Sequence, residues 1–200
     1  MPRIAAAIVA LVAWIGIAVQ FQATHANADS VAEALWILLR YFTILTNFIV
    51  ALTMTAIAFG RRLLPSFIGG IMVAILLVGI TYVTLLRGLL ELSGGALLAD
   101  TLLHKVTPLL VPAWWLLFAD KGKLRWRDPA IWALYPLAYF PYALARGAAE
   151  GKYAYPFMDV TGLGWPAVAL NAIIMASAFL VGGAALVMLD LRLGGRSPSG

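Results

Sequence analysis

The chain contains no cysteine. A disulfide framework and a cysteine-ligated metal site are both excluded. Histidine is scarce: His25 and His104 are the two copies, too few to suggest metal or haem ligation, and no cofactor is expected. Charge is scarce as well. Only 12% of the 200 residues are charged, while 63% are hydrophobic and mean hydropathy is +0.93. That charged fraction is about half that of a soluble domain. The composition therefore excludes a soluble globular protein. It predicts an all-α polytopic membrane protein, a single transmembrane domain over residues 1–200. The formal charge of +5 does not imply nucleic acid, because its positions follow membrane topology.

Six apolar segments follow one another, near residues 3–21, 31–59, 67–90, 96–118, 129–145 and 165–189. Each is long enough to cross a bilayer as a helix. The first has one basic residue ahead of an apolar run, as a signal peptide would. It lacks a clean small-x-small cleavage site and reads as a retained helix. Asp29 and Ser30 are placed to cap the second segment. Gly69, Gly70 and Gly79 allow close helix approach in the third. Pro136 and Pro141 should kink or shorten the fifth. No internal repeat is evident.

The basic residues orient the bundle. With both termini in the cytoplasm, the inner side holds Arg3, Arg61, Arg62, Lys121, Lys123, Arg125, Arg127, Arg192 and Arg196. The outer side holds Arg87, Arg146 and Lys152, and Arg40 and Lys105 fall within or near the membrane. This matches the positive-inside rule. Trp114, Trp115 and Trp126 read as anchors at the cytoplasmic interface.

Two segments carry polar groups where lipid would tolerate none. In the second, Trp36, Arg40, Thr43 and Asn47 share one narrow helical face at roughly 100° per residue, with Thr46 at its edge. Ionisable groups in a membrane are costly and mark an interior, a cavity or a site. In the fourth, Asp100, His104 and Pro108 follow at i, i+4 and i+8. A carboxylate one turn before an imidazole can hold it in one tautomer, as the orienting group of a nucleophile–base pair does. Thr43 is the hydroxyl best placed to be the nucleophile. Counted from the outer helix ends at about 1.5 Å per residue, Thr43 lies roughly 20 Å deep and His104 roughly 12 Å. Tyr135, Tyr139, Tyr142 and Arg146 form a further stripe on the fifth segment, either a cavity wall or packing. Each group also has an ordinary structural reading. Membrane threonines commonly bond their own backbone, and Arg40 could simply pair with a carboxylate.

R-Y-F-T at 40–43, L-L-H-K-V-T-P at 102–108 and Y-A-Y-P-F-M-D at 153–159 occur in that order. With six helices, they resemble the androgen-induced-gene family, which includes the androgen-dependent TFPI-regulating protein. Its eukaryotic members are multi-pass membrane threonine hydrolases that cleave fatty acid esters of hydroxy fatty acids. The resemblance implies Thr43 as nucleophile and His104 as base. It also matches the family's Tyr-Pro-Phe segment and acidic residue to Tyr155, Pro156, Phe157 and Asp159. Lys105 stands where the family has a small polar residue. The Ala/Gly/Leu-rich composition suggests a bacterial relative and hence the bacterial inner (plasma) membrane.

The expected function is hydrolysis of a lipid ester without a cofactor. Asp100 would orient His104, and Arg40, Asn47, Tyr139 and Tyr155 would bind substrate. Arg40 would take an acyl carboxylate, and Asn47 or a tyrosine would stabilise the oxyanion. The partners expected are the fatty acyl ester and membrane lipids, with no nucleic acid. A non-catalytic lipid-binding or transport protein would use the same cavity, and a proton-coupled carrier could use His104 and Asp100.

Overall fold

The computed structural model describes residues 1–89 and 91–195. Arg196 of the basic inner set and Leu90, the expected end of the third segment, lie outside the described residues. Among these, the secondary structure is helical throughout, with no strand. The chain divides into two compact units, residues 1–120 and 121–200.

The first unit comprises α1 (Pro2–His25), α2 (Val31–Leu38), α3 (Phe42–Ala58), α4 (Pro65–Thr81), α5 (Gly94–Thr101) and α6 (Thr107–Phe118). A π-helical turn, Tyr82–Leu86, extends α4, and another, Leu102–Val106, joins α5 to α6. Ala6, Val9, Ala10, Ala13 and Gly16 are buried on α1. Their three- and four-residue spacing is that of one helical face. Trp14 packs edge-on against Phe48 at 5.5 Å and donates its indole N–H to Thr55 Oγ1 at 3.1 Å. Thus α1 and α3 are tied by apolar contact and by one polar bond.

Three helix ends meet in this unit. Trp114 Nε1 donates to the Pro2 carbonyl at 3.0 Å. A Cβ built on Gly60 would come within 2.9 Å of the Arg3 guanidinium carbon. The start of α1, the end of α3 and the end of α6 therefore lie together. Trp114 and Trp115 are buried, Trp115 with 1% exposure. They are core residues rather than the interfacial anchors their sequence position suggests, because α1 and α4 pack against α6.

The second expected segment is not one helix. It breaks at Leu39–Tyr41, and α2 and α3 meet at 96°. Arg40 N–H bonds the Ile37 carbonyl and Tyr41 N–H that of Leu38, a tightened last turn. Tyr41 is then extended, at φ −97° and ψ 126°, and caps α3. One extended residue resets the helical phase, so the common face drawn through Trp36 and Arg40 to Asn47 does not exist. Trp36 is 53% exposed, whereas Arg40, Thr43 and Asn47 are buried. The depth count for Thr43 fails for the same reason. The cap of α2 is as expected: Ser30 Oγ accepts from Glu33 N–H, and Glu33 accepts from Asp29 N–H.

The second unit comprises α7 (Asp128–Glu150), a 3₁₀ turn at Pro156–Met158, α8 (Val160–Leu163) and α9 (Trp165–Gly194). Despite Pro136 and Pro141, α7 runs unbroken over 23 residues and stops at Gly151. The loop before α7 is fastened to the far end of α9. Asp190 Oδ2 accepts the N–H groups of Lys123 and Leu124, each at 2.8 Å, and the Asp190 carbonyl accepts that of Gly122 at 3.1 Å.

By length and composition, four helical stretches can cross a membrane: 2–25, 65–86, 94–118 and 165–194. The bent pair α2–α3 is either a fifth, broken span or a re-entrant segment. α7 is long enough but less apolar, since prolines and tyrosines interrupt its aliphatic residues.

Candidate functional site

The polar residues of the first unit converge where the N-terminal turn of α3 meets the π turn at 102–106. Thr43 is the second residue of α3, and Asn47 lies one turn on. Asn47 Nδ2 donates to the Thr43 carbonyl at 2.9 Å and to the Leu103 carbonyl at 3.3 Å. Two carbonyl partners require the amide nitrogen at that position, which fixes the side-chain orientation. Asn47 has no exposed surface. It joins the backbone at Thr43 to the residue before His104. Its N–H groups are thereby engaged, and it clamps the two backbones together.

Heights agree from the other direction. Ala58 and Phe118 end the two helices on the side where Pro2 and Arg3 lie. At about 1.5 Å per residue, Thr43 stands about 22 Å from the first end and His104 about 21 Å from the second. The mismatch of the sequence-based count came from treating residues 31–59 as one rod.

His104 is part of a larger cluster. Its Nδ1 lies 3.1 Å from Asp100 Oδ1, one helical turn earlier. Nδ1 makes no aligned hydrogen bond there, so the contact is chiefly electrostatic. Tyr82, on the π turn that follows α4, donates its hydroxyl to Asp100 Oδ2 at 2.6 Å. Its ring stacks on the imidazole, with centroids 4.6 Å apart and planes 17° apart. Lys105 Nζ is 3.4 Å from Asp100 Oδ2 and 5.2 Å from the Tyr82 ring centre. One carboxylate thus serves a phenol, an imidazole and an ammonium.

Local backbone makes this possible. π turns insert an extra residue into a helix and recur at functional sites. Gly79 lets α4 close on α6: a Cβ there would meet Pro108 at 2.8 Å. Beneath the cluster, Leu38, Ile44, Ala99 and Leu103 form a buried apolar core. Arg40 is buried at the α2–α3 break, and Thr46 is buried more deeply than its edge position implied. Thr107 has no exposed surface either.

Sequence reasoning missed Tyr82 and underrated Lys105. The available signal was a tyrosine hydroxyl within an apolar span, which requires a partner when buried. Thr84, two residues on, bonds the Ile80 carbonyl of its own helix, the ordinary fate of a membrane threonine.

The remaining expected residues belong to the second unit. Tyr139 is buried on α7, with its ring 6.1 Å from that of Tyr142, and Arg146 donates to Tyr142 Oη and to Glu150. Tyr155 stacks on Phe157 at 5.1 Å, and the Phe157 carbonyl accepts from Asn171 Nδ2. Asp159 caps α8 by accepting the N–H groups of Thr161 and Gly162 and the Thr161 hydroxyl. These bonds hold its carboxyl below the usual range, the Thr161 hydroxyl contributing most.

Comparisons with protein-family models, with curated proteins and with solved structures return no match.

Proposed function

We propose that this protein is an intramembrane hydrolase of fatty acyl esters, with Thr43 as nucleophile and His104 as base. The observation that carries the reading is the Asn47 clamp, which ties the backbone at Thr43 to that at Leu103. With Nδ1 turned to Asp100, Nε2 is the imidazole nitrogen left for proton transfer. Thr43 Oγ bonds to the ester carbonyl carbon as its proton passes to Nε2. The ester C–O bond then breaks, and the proton leaves with the alcohol. Water attacks the acyl-threonine, again giving a proton to Nε2, and the fatty acid departs as Thr43 regains its hydrogen. The N-terminal turn of α3 concentrates positive potential near the developing oxyanion. Arg40, buried at the break, is the residue proposed to hold a substrate carboxylate. Fatty acid esters of hydroxy fatty acids are the proposed substrate class.

We also propose six crossings with both termini in the cytoplasm of a bacterial inner membrane. Contacts within each unit support this. Pro2 lies with Trp114 and Arg3 with Gly60, as four successive crossings in the first unit would require. In the second unit, Asp190 holds the loop at 122–124 beside the end of α9. If α9 crosses, α7 must cross as well to reach Trp165.

A non-catalytic lipid-binding protein is the second reading. The sharing of Asp100 among Tyr82, His104 and Lys105 favours it, since such a network also serves structure alone. Treatment with a fluorophosphonate probe, followed by peptide mapping, separates the two. An adduct on Thr43 supports the hydrolase. Saturable lipid binding without adduct or turnover supports the binder.

A further inference from the structure

The loop from Lys121 to Arg127, K-G-K-L-R-W-R, has four cations and no anion. Its backbone is fastened by two buried carboxylates. Asp190 accepts from Lys123 and Leu124, and Asp128 Oδ2 accepts from Arg125 N–H at 2.8 Å. Leu124 is buried beneath the loop, and Asp128 and Asp190 are buried beside it. Gly122 adopts φ +72°, and a Cβ there would lie 3.2 Å from Gly194, so the turn closes against the last residue of α9. The side chains of Lys123, Arg125, Trp126 and Arg127 are left exposed, as is that of Arg192 on α9, and Trp126 is 62% exposed.

The loop's attachment point fixes its surroundings. α9 is long and apolar enough to span a membrane, and Asp190 lies in its last two turns. The loop is therefore held at a membrane–water interface. An indole between two guanidinium groups suits that boundary, where tryptophan partitions and where cations meet lipid phosphates. The buried carboxylates are turned to backbone donors, so they shape the loop without occupying its outward cations.

We propose that this loop is a preformed binding surface for anionic phospholipid headgroups. It is independent of the hydrolase reading. Its design differs from a diffuse basic segment: the backbone is ordered before lipid arrives, so less freedom is lost on binding.

The test uses the full chain purified in neutral detergent and titrated with phosphatidylglycerol or phosphatidylcholine, with retained lipid counted by native mass spectrometry. Phosphatidylglycerol should be retained in preference. The double substitution Arg125→Gln and Arg127→Gln should weaken its retention about thirtyfold and leave phosphatidylcholine unchanged. Asp190→Ala raises the net charge by one, so simple attraction predicts tighter binding. A loop ordered by Asp190 predicts weaker binding. If Asp190→Ala does not fold, the exposed arginine pair decides alone. Equal retention of the two lipids, indifference to the arginine substitutions, or tighter binding by Asp190→Ala would overturn the proposal. So would complete displacement of lipid by millimolar inorganic phosphate, which would mark a general anion site.

Discussion

The Tyr82 hydroxyl donates to Asp100 while the Tyr82 ring lies flat against His104, so one side chain from the π turn after α4 touches both Asp100 and His104. Tyr82→Phe separates the two roles, keeping the stack and removing the bond. A hydrogen bond to a charged group is worth about 1.5–3 kcal/mol. Thermal unfolding in detergent should show a loss of that order. Ester hydrolysis should fall as well, because Asp100 is freed to move away from His104. Unchanged hydrolysis by folded Tyr82→Phe would reduce the tyrosine to a packing role.

The proposed catalytic pair should behave as one unit. Thr43→Ala and His104→Ala should each lower hydrolysis of a fatty acyl ester by at least about a hundredfold. The double variant should be little worse than either, since each change disables the same step. Thr43→Ser should retain activity. Wild-type turnover by well-folded Thr43→Ala would discard the hydrolase in favour of the lipid binder.

Asn47→Leu should act through geometry. It removes two hydrogen bonds and leaves the buried carbonyls of Thr43 and Leu103 without their side-chain donor. Loss of stability should be about 1–3 kcal/mol per abandoned bond, with a fall in kcat exceeding any change in KM. Thr46→Ala, also buried, should cost stability without comparable loss of turnover. Equal kinetic effects of the two variants would argue against the clamp.

Topology is open to labelling, because the chain has no cysteine of its own. Single cysteines at Lys123 and Arg192 should react with an impermeant thiol reagent from the same side. One at Gly151 should react from the opposite side. Agreement of all three sites would remove α7 from the set of crossings.

Asp159 gives a pH dependence outside the spans. Its carboxyl is held below the usual range by Thr161 and Gly162. A depressed folded value means that the cap's contribution is present above the usual carboxylate pKa and disappears as pH falls through the lower, folded value. Amide exchange at Thr161 and Gly162 should therefore stay protected through mild acid relative to an Asp159→Ala variant, which should exchange faster at neutral pH. Equal protection at neutral pH would exclude the capping role.

Composition and patterning by themselves determined that this is a helical protein with membrane-length apolar stretches, because charge scarcity and long aliphatic runs permit little else. They also marked Thr43, Asn47, Asp100 and His104, since polar groups at such positions need partners. Local order was partly legible: of Asp29 and Ser30, the two residues placed to cap α2, Ser30 does so. Only the tertiary structure decided the break at Arg40–Tyr41. No glycine or proline marks it, and periodicity cannot register one extended residue within an apolar run. Tertiary packing also decided that Tyr82 joins Asp100 across 18 residues of sequence, and that Asp190 orders a loop 66 residues away. These pairings depend on which helices pack side by side, and a sequence period describes only the face of a single helix.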